Sequence, residues 1–448
     1  MKTSMDQPAR INLFKGHPSF RLLPNDEIID ATRELLAPAA REYDEDTNNR
    51  HPLTYGADEG AVWVRQNVCD FNNGVFGLSG DTASRPEFLN LNSGASYGIL
   101  STLLHSTLAH TGYTRQAFII TPTYFLINDC FIDAGFGSKL TAIDEKGQDS
   151  IDLDQLVAKL EYFESNTEGL ADDTQVIQNP TKPVNKKVYR YVMYCVPTFS
   201  NPSGKTYSLE TRTKLIEIAR KYDMLIIADD VYDLLDYRTE DVTKLPKPVK
   251  RFVHIDRDTN RDPNSYGNTI SNATFSKIIA PGLRVGYHET INEKLALQLS
   301  KGGANISGGT PSQLNSMIVG TILKNGSMEK ILYRLRKTYK ERSEVIKRTL
   351  AQLLPAGTDI SAPDGGYFVW VTLPEGYDSR EIGETLKRDH GVVLANGSGS
   401  EVVGDPRNWG ARCARLSISF LEKEEIEEGC KLWAQVCVEY AKTHNLSH

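Results

Sequence analysis

The stretch TFSKIIAPGLRVGY, Thr274–Tyr287, sets Lys277 between small hydroxyl-bearing residues and a Pro281-Gly282 break, with Arg284 further on. A surface helix has no use for that punctuation. A lysine held on a rigid turn is a candidate nucleophile toward a carbonyl, because a desolvated amine gives up its charge readily. An arginine nearby suits a phosphate or carboxylate. Four other places offer matching chemistry. Asp229 and Asp230 close the run MLIIADD, and Tyr232 follows; Asn201 lies in PTFSNPSG, Tyr124 in TPTYF, and SGASYG runs from Ser93 into a helical segment. Taken singly, each has an ordinary explanation. A Gly-Ser turn caps a helix, a strand-end carboxylate makes an N-cap or ion pair, and an asparagine before proline forms an Asx turn. A tyrosine joins the core, and a lone lysine sits on the surface.

The elements that must position these groups are legible as apolar runs. QAFIITP, RYVMYCVP and DMLIIADD are short, apolar and β-branched, and each ends in turn residues, so they predict buried strands. Between the last two, SLETRTKLIEIARKYD places Leu215, Ile218, Ala219 and Tyr222 on one helical face behind a Ser208 N-cap. Strands alternating with amphipathic helices predict an α/β fold with a mostly parallel sheet flanked by helices. Beyond about residue 325 the pattern changes. MEKILYRLRKTYKERSEVIKRTLAQLLP spaces Leu332, Leu335, Tyr339, Ile346 and Leu353 as one long helix stopped at Pro355. GGYFVWVTL and ARLSISF read as strands, and Glu422–Lys442 as a last helix burying Ile426, Cys430, Trp433, Cys437 and Tyr440. A smaller α+β unit over 326–448 is therefore expected after a large domain over 51–325, with residues 1–50 packing on the smaller one. Two polar stretches, Glu164–Lys187 and Asp256–Asn268, read as surface insertions or mobile loops.

In an open α/β sheet, ligands bind beyond the carboxyl ends of the strands. The groups above all follow strand ends, so they converge on one edge. A helix start and Arg284 for a phosphate, Tyr124 for stacking, Asp229 for a protonated ring nitrogen and Lys277 for an aldehyde together describe one ligand. Pyridoxal 5'-phosphate has all of those parts.

The motifs SKIIAPGLRVGY, NPSG and ADDVY, at their spacings, resemble those of the fold-type I pyridoxal-phosphate aminotransferases of classes I and II. The resemblance runs from FKGHPSFRLLP to ARLSISF and is narrower toward the kynurenine/2-aminoadipate aminotransferases and their fungal relatives. It implies a large domain with a mostly parallel sheet and a smaller α+β domain. It implies that Lys277 forms a Schiff base with the cofactor. Arg284, Thr274, Ser276, Ser96 and the backbone of Gly94 and Ala95 would bind the phosphate. Asp229 would hold the pyridinium proton, Asn201 and Tyr232 would bond the phenolic oxygen, and Tyr124 would stack. Arg415 would grip the substrate α-carboxylate, with Gly16 and Asn201 beside it and Arg412 as the competing arginine. Tyr55, in LTYGADEG, resembles a tyrosine that reaches the phosphate of a neighbouring subunit, which implies a homodimer. The implied activity is a ping-pong transfer of an amino group from 2-aminoadipate or an aromatic amino acid to 2-oxoglutarate. GVVLANGSGSEV departs from the family pattern, which has a proline before the glycine and an aromatic after it, so the usual substrate contacts are not expected there.

Composition narrows the alternatives. The chain has 448 residues, 40% hydrophobic and 24% charged, with a net charge of -7. That balance gives no electrostatic reason for nucleic acid or an anionic membrane as partner. There is no signal-peptide-like start and no apolar run near the ~20 residues of a membrane span, so a cytoplasmic protein is expected. The six scattered cysteines form no C-x-x-C pair, and no metal site is expected. The G-x-G in NGSGS lacks the strand–turn–helix setting of a dinucleotide site. A lyase or decarboxylase on the same cofactor is the first alternative. A non-catalytic relative is the second; the aminotransferase-like motifs start near residue 11, leaving no room for the N-terminal DNA-binding unit of a regulator.

Overall fold

The runs anticipated as buried strands form the centre of one large sheet in the computed structural model, which describes residues 10–37, 46–166, 181, 185–238, 241–362 and 364–446. In chain order the strands are β1 (Ile11–Asn12), β2 (Leu89–Asn92), β3 (Gln116–Thr121), β4 (Leu140–Lys146), β5 (Ser150–Ile151), β6 (Tyr191–Cys195) and β7 (Met224–Asp230). There follow β8 (Thr269–Thr274), β9 (Gly286–Glu289), β10 (Asp359–Ser361), β11 (Phe368–Thr372), β12 (Val392–Val393), β13 (Ala395–Asn396) and β14 (Cys413–Ser417). The large sheet runs β2-β9-β8-β7-β6-β3-β4-β5. Its five central strands, β8 to β4, are parallel. Because side chains alternate along a strand, the core divides in two. Phe118, Met193, Ile226 and Ala228 pack on one face against Leu215 and Ile216. Ile119, Val192, Tyr194 and Ile227 belong to the cluster on the other. A parallel sheet covered on both faces is the expected fold.

The edges are antiparallel: β9 against both β8 and β2, and β5 against β4. Parallel neighbours need a crossover of a dozen or more residues, usually a helix. The β8–β9 link, residues 275–285, has only a 3-10 turn at Pro281–Leu283, so the chain folds straight back. That link carries Lys277 and Arg284.

The expected helices form, with shifted faces. Ser208 caps Leu209–Lys221, its hydroxyl accepting from the Thr211 N–H at 3.2 Å. That helix buries Leu215, Ile216 and Ala219, whereas Ile218 and Tyr222 are only partly buried. The long helix spans Ser327–Leu353 and buries Leu332, Leu335, Tyr339 and Ile346, but Leu353, in its last turn, is exposed. The final helix, Lys423–His444, buries Ile426, Cys430, Trp433 and Cys437. Tyr440 is only partly buried, stacked on Tyr377 and His444. A second sheet, β10-β11-β14-β13, is antiparallel. The N-terminal strap joins this end of the molecule: β1 pairs with β12, and the Ser417 N–H donates to Leu13 O at 2.7 Å.

Asp256–Asn268 is not a loose insertion. It begins inside the helix Phe252–Thr259 with Asp256 fully buried, and that carboxylate accepts from Arg220, Thr269 and the Asn268 N–H at 2.6–2.9 Å. A buried carboxylate is stable only when paired in this way, and the need for donors ties the stretch down. Of Glu164–Lys187, residues 167–180 and 182–184 lie outside the described residues. Its ends are anchored, Glu164 beside Arg115 at 3.4 Å and the Lys187 N–H on Gln298 Oε1 at 2.7 Å. Among the described residues no helix is long and apolar enough to cross a membrane.

Candidate active site

Four parallel strands deliver four groups to one cavity. Tyr124 follows β3, Asn201 follows β6, Asp229 is the penultimate residue of β7 and Lys277 follows β8. All line a cavity of about 300 Å³, with Ala95, Ser96, Tyr232, Thr274, Ser276, Arg284, Gly16 and Arg415. Of the residues singled out in the sequence, Gly94 stands just behind the wall, and Tyr55 and Arg412 lie elsewhere. Tyr55 is 74% exposed, beside Gly308. Arg412 is turned to the Leu373 carbonyl.

At one end, the helix Ala95–Ser106 opens toward the cavity with its free N–H groups. Gly94 precedes it at φ 98°, a conformation an L side chain enters only under strain, and a Cβ there would come 2.7 Å from Arg284 Nη2. Arg284 itself has φ 53°, which swings its guanidinium back to Ser93 O at 2.9 Å and to within 3.4 Å of Ser276 Oγ. Thr274 Oγ1 accepts from the Ser276 N–H at 3.2 Å. The result is a cradle of hydroxyls, N–H groups and one guanidinium.

On the floor, Asp229 receives two hydrogen bonds: the Tyr194 hydroxyl to Oδ2 and Asn272 Nδ2 to Oδ1, each 2.9 Å. Burial pushes its carboxyl up to about 6 against those donors and the Lys277 charge. Asp230 points to the other face, where Ser271 donates to it at 2.7 Å and Arg251 binds Asp233 at 2.6 Å. Burial lowers the Lys277 ammonium to about 8, with Asp229 opposing and Arg415 and Arg284 assisting. Its Nζ donates to Gly16 O at 3.2 Å.

At the far end, Arg415 is held between aromatic faces, its guanidinium carbon 4.2 Å from the Phe368 ring centre and 5.2 Å from that of Phe14. It donates to Asn201 Oδ1 at 3.0 Å and Phe14 O at 2.9 Å, while its buried Nε has no partner. A buried guanidinium with a spare donor and no carboxylate is arranged to receive an anion. Gly16 is small because a Cβ would meet the Phe368 ring at 2.7 Å.

Sequence reasoning missed Tyr194, Asn272, Phe14 and Phe368. Tyr194 sits inside an apolar strand run, where a polar ring looks like ordinary core, and Asn272 sits in TISNAT, a small, mostly polar stretch that no apolar run announces as a strand. Phe14 comes from a strap 401 residues from Arg415, a pairing no local pattern announces. The divergent loop GVVLANGSGSEV does not line the cavity. It stands behind Tyr124, with Ser400 O accepting from the Thr123 N–H at 2.8 Å. Asn128 holds it too, donating to Glu401 O and accepting from the Val403 N–H.

A phosphate cradle, a buried carboxylate, a softened lysine and an anion-ready arginine at the C-terminal ends of the strands of a mostly parallel sheet covered on both faces define a fold-type I pyridoxal-phosphate enzyme. The sequence profile of aminotransferase class I and II matches residues 21–432, and the chain belongs to that family. An uncharacterized protein of Saccharomyces cerevisiae, YER152C, is 58% identical over 98% of this chain and 99% of its own length. Aromatic-amino-acid aminotransferase 1 of Thermococcus litoralis is 30% identical over 62% of this chain and 60% of that protein. Among solved structures, the kynurenine aminotransferase of Pyrococcus horikoshii matches with a TM-score of 0.76 at 24% identity, covering 98% of this chain and 93% of that one. The multiple substrate aminotransferase of Thermococcus profundus matches at 0.75 and 23%, covering 98% and 94%. These two likenesses establish the fold. The family's cofactor is pyridoxal 5'-phosphate. The site fits that group: the cradle suits its phosphate, and Asp229 lies across the floor with Tyr124 on the wall.

Proposed function

We propose that this aminotransferase moves the amino group of an L-amino acid with a large apolar or aromatic side chain to a 2-oxo acid. The observation that carries the reading is the lining of the cavity, which brings Lys277, Asp229, Arg284 and Arg415 together with Phe14, Phe125 and Phe368. Among the described residues those three basic groups are its only cations. Arg284 belongs with the phosphate and Arg415 with the α-carboxylate, so the distal carboxylate of 2-aminoadipate would find no cation of its own. A ring or alkyl side chain would meet the phenylalanines.

In this reading the helix start, Thr274, Ser276 and Arg284 anchor the phosphate, and Tyr124 lies against the ring. Asp229 holds a proton at the ring nitrogen, helped by its two donors. Asn201 and Tyr232 face the phenolic oxygen. When bound, pyridoxal phosphate supplies the aldehyde that joins the substrate amine and the ring that draws electrons from its α-carbon. Lys277 Nζ, which gives up its charge around pH 8, takes the α-proton, and Arg415 orients that carbon by a two-pronged grip on the carboxylate. The strap from Phe14 to Gly16 holds both side chains through its carbonyls. Donor and acceptor use the same site in turn, which gives a ping-pong cycle. Tyr55, exposed here, would complete the phosphate site of a second copy.

A donor screen with 2-oxoglutarate and with monocarboxylic 2-oxo acids, following formation of the product amino acid, tests the proposal. Phenylalanine, tyrosine, tryptophan or kynurenine should exceed 2-aminoadipate in kcat/KM, and Lys277→Ala should lower turnover about a thousandfold or more. Release of ammonia or carbon dioxide instead of a new amino acid would move the enzyme to the lyases or decarboxylases.

A further inference from the structure

Asn272 lies opposite Asp229 in the register of β7 and β8, fully buried and away from the cavity wall. Its single amide nitrogen donates in two directions, to Asp229 Oδ1 at 2.9 Å and to the Ala95 carbonyl at 3.0 Å. Both neighbours are acceptors, so the amide can face them only with its nitrogen. One side chain thus joins the carboxylate on the floor to the first residue of the helix that forms the cradle. Asn272 Oδ1, buried on the other side, has no partner, so nothing else draws the amide to a different orientation.

The helix lies unusually close to this amide. A Cβ on Gly98, one turn into it, would collide with Asn272 Oδ1 and come 2.8 Å from both Asn92 Nδ2 and His288 Nε2. Burial drops the His288 imidazole to about 4, so the ring is neutral. Its Nδ1 lies 3.1 Å from Asn90 Nδ2, so its Nε2–H donates to Gly98 O at 2.9 Å. Asn92 Oδ1 accepts from the Gly94 N–H at 2.9 Å. A layer of three asparagines and a histidine therefore seats the helix start, and Gly98 is the residue that lets it approach.

We propose that Asn272 is a positioning residue for the reaction: its amide registers the ring-nitrogen carboxylate against the phosphate-binding helix, so that one cofactor is gripped at both ends in a fixed geometry. The inference rests on the pyridoxal-phosphate reading of the site. Without the amide, Asp229 loses a donor that stabilises its charged form, and the helix start loses its tie to the sheet. Both changes loosen the grip. A hydrogen bond to a charged group supports an effect of about tenfold to a hundredfold in the dissociation constant.

The test titrates the full-length protein with pyridoxal phosphate and follows the pH at which the bound cofactor's visible absorption changes. Asn272→Asp keeps the shape, removes the donors and sets a second carboxyl against Asp229; Asn272→Ala removes the bridge without adding charge. Circular dichroism and thermal melts report folding. The expected result is folded variants whose cofactor dissociation constant rises about tenfold or more and whose absorption midpoint is displaced. Gly98→Ala is expected to weaken binding in the same direction. Variants that bind within twofold of the parent with an unmoved midpoint overturn the proposal. So does failure of both Asn272 variants to fold, which assigns the residue to the core of the sheet. A parent protein that does not bind pyridoxal phosphate would instead overturn the reading of the site.

Discussion

Lys277 sits where opposing fields meet. Burial and two arginines favour its neutral form, and Asp229 favours its charge; the balance lowers it from the ordinary 10.5 to about 8. Only the neutral amine attacks an aldehyde. Capture of pyridoxal phosphate by the cofactor-free enzyme should therefore rise about tenfold per pH unit up to pH 8 and then level off. Asp229→Asn removes the one group that raises the lysine, so the break should move to lower pH. Stopped-flow absorbance across pH 6 to 10 measures both, and a break near 10.5 would show that the lysine is not desolvated. These residues were readable because their motifs carry chemistry in adjacent letters: SK before PGLR, NP before SG, ADD after MLII. Tyr194 and Asn272 do the same work from inside β6 and β8, but nothing beside them in sequence marks them: Tyr194 has apolar neighbours, and Asn272 lies between Ser271 and Ala273. Only the pairing of β6, β7 and β8 reveals that both point at Asp229.

At the scale of elements, the decisive object is the short return between β8 and β9. Because no helix intervenes, the same turn sends Lys277 to the floor and brings Arg284 round to the cradle at φ 53°. Gly94 meets it from the opposite side. Gly94→Ala should strain an extended, positive-φ backbone position, costing about 1–3 kcal/mol of stability. It should also push Arg284 aside and weaken cofactor binding about tenfold, close to 1.4 kcal/mol. Denaturant titration and cofactor titration read the two effects separately; unchanged affinity would detach Arg284 from the phosphate. The strand-helix alternation announced the parallel centre of the sheet, since apolar runs and a Ser208 cap are local signals. The antiparallel edges were not legible, because β2 and β9 are four residues each and take their direction from connection length. Asp256–Asn268 misled for a related reason: polar residues look like a loop until their buried partners, Arg220 and Thr269, are known.

At the scale of the molecule, Tyr55 has no role within its own chain's cavity. It is exposed, in a pocket lined by Arg50, Asp58 and Ser307. If it serves a second copy, two crippled proteins should repair each other. Mixing Lys277→Ala with Tyr55→Ala subunits, under conditions that exchange them, makes hybrid dimers with one intact site. Activity should climb to about a quarter of the parent's, since random pairing makes half the dimers hybrid. No recovery in a mixture shown to contain hybrids would leave Tyr55 outside the neighbouring site.

The strap has a consequence of its own for biosynthesis. Phe14 and Gly16 leave the ribosome some four hundred residues ahead of the guanidinium that holds Phe14 O and of the strand that holds Leu13. Until β12 and β14 are out, the strap lacks the strands it docks on, and contacts so distant in sequence form slowly. The sheet and its lysine can assemble during translation, but the chamber is completed only when segments some four hundred residues apart meet, so a nascent chain that stops short of β14 would display its amine to solvent.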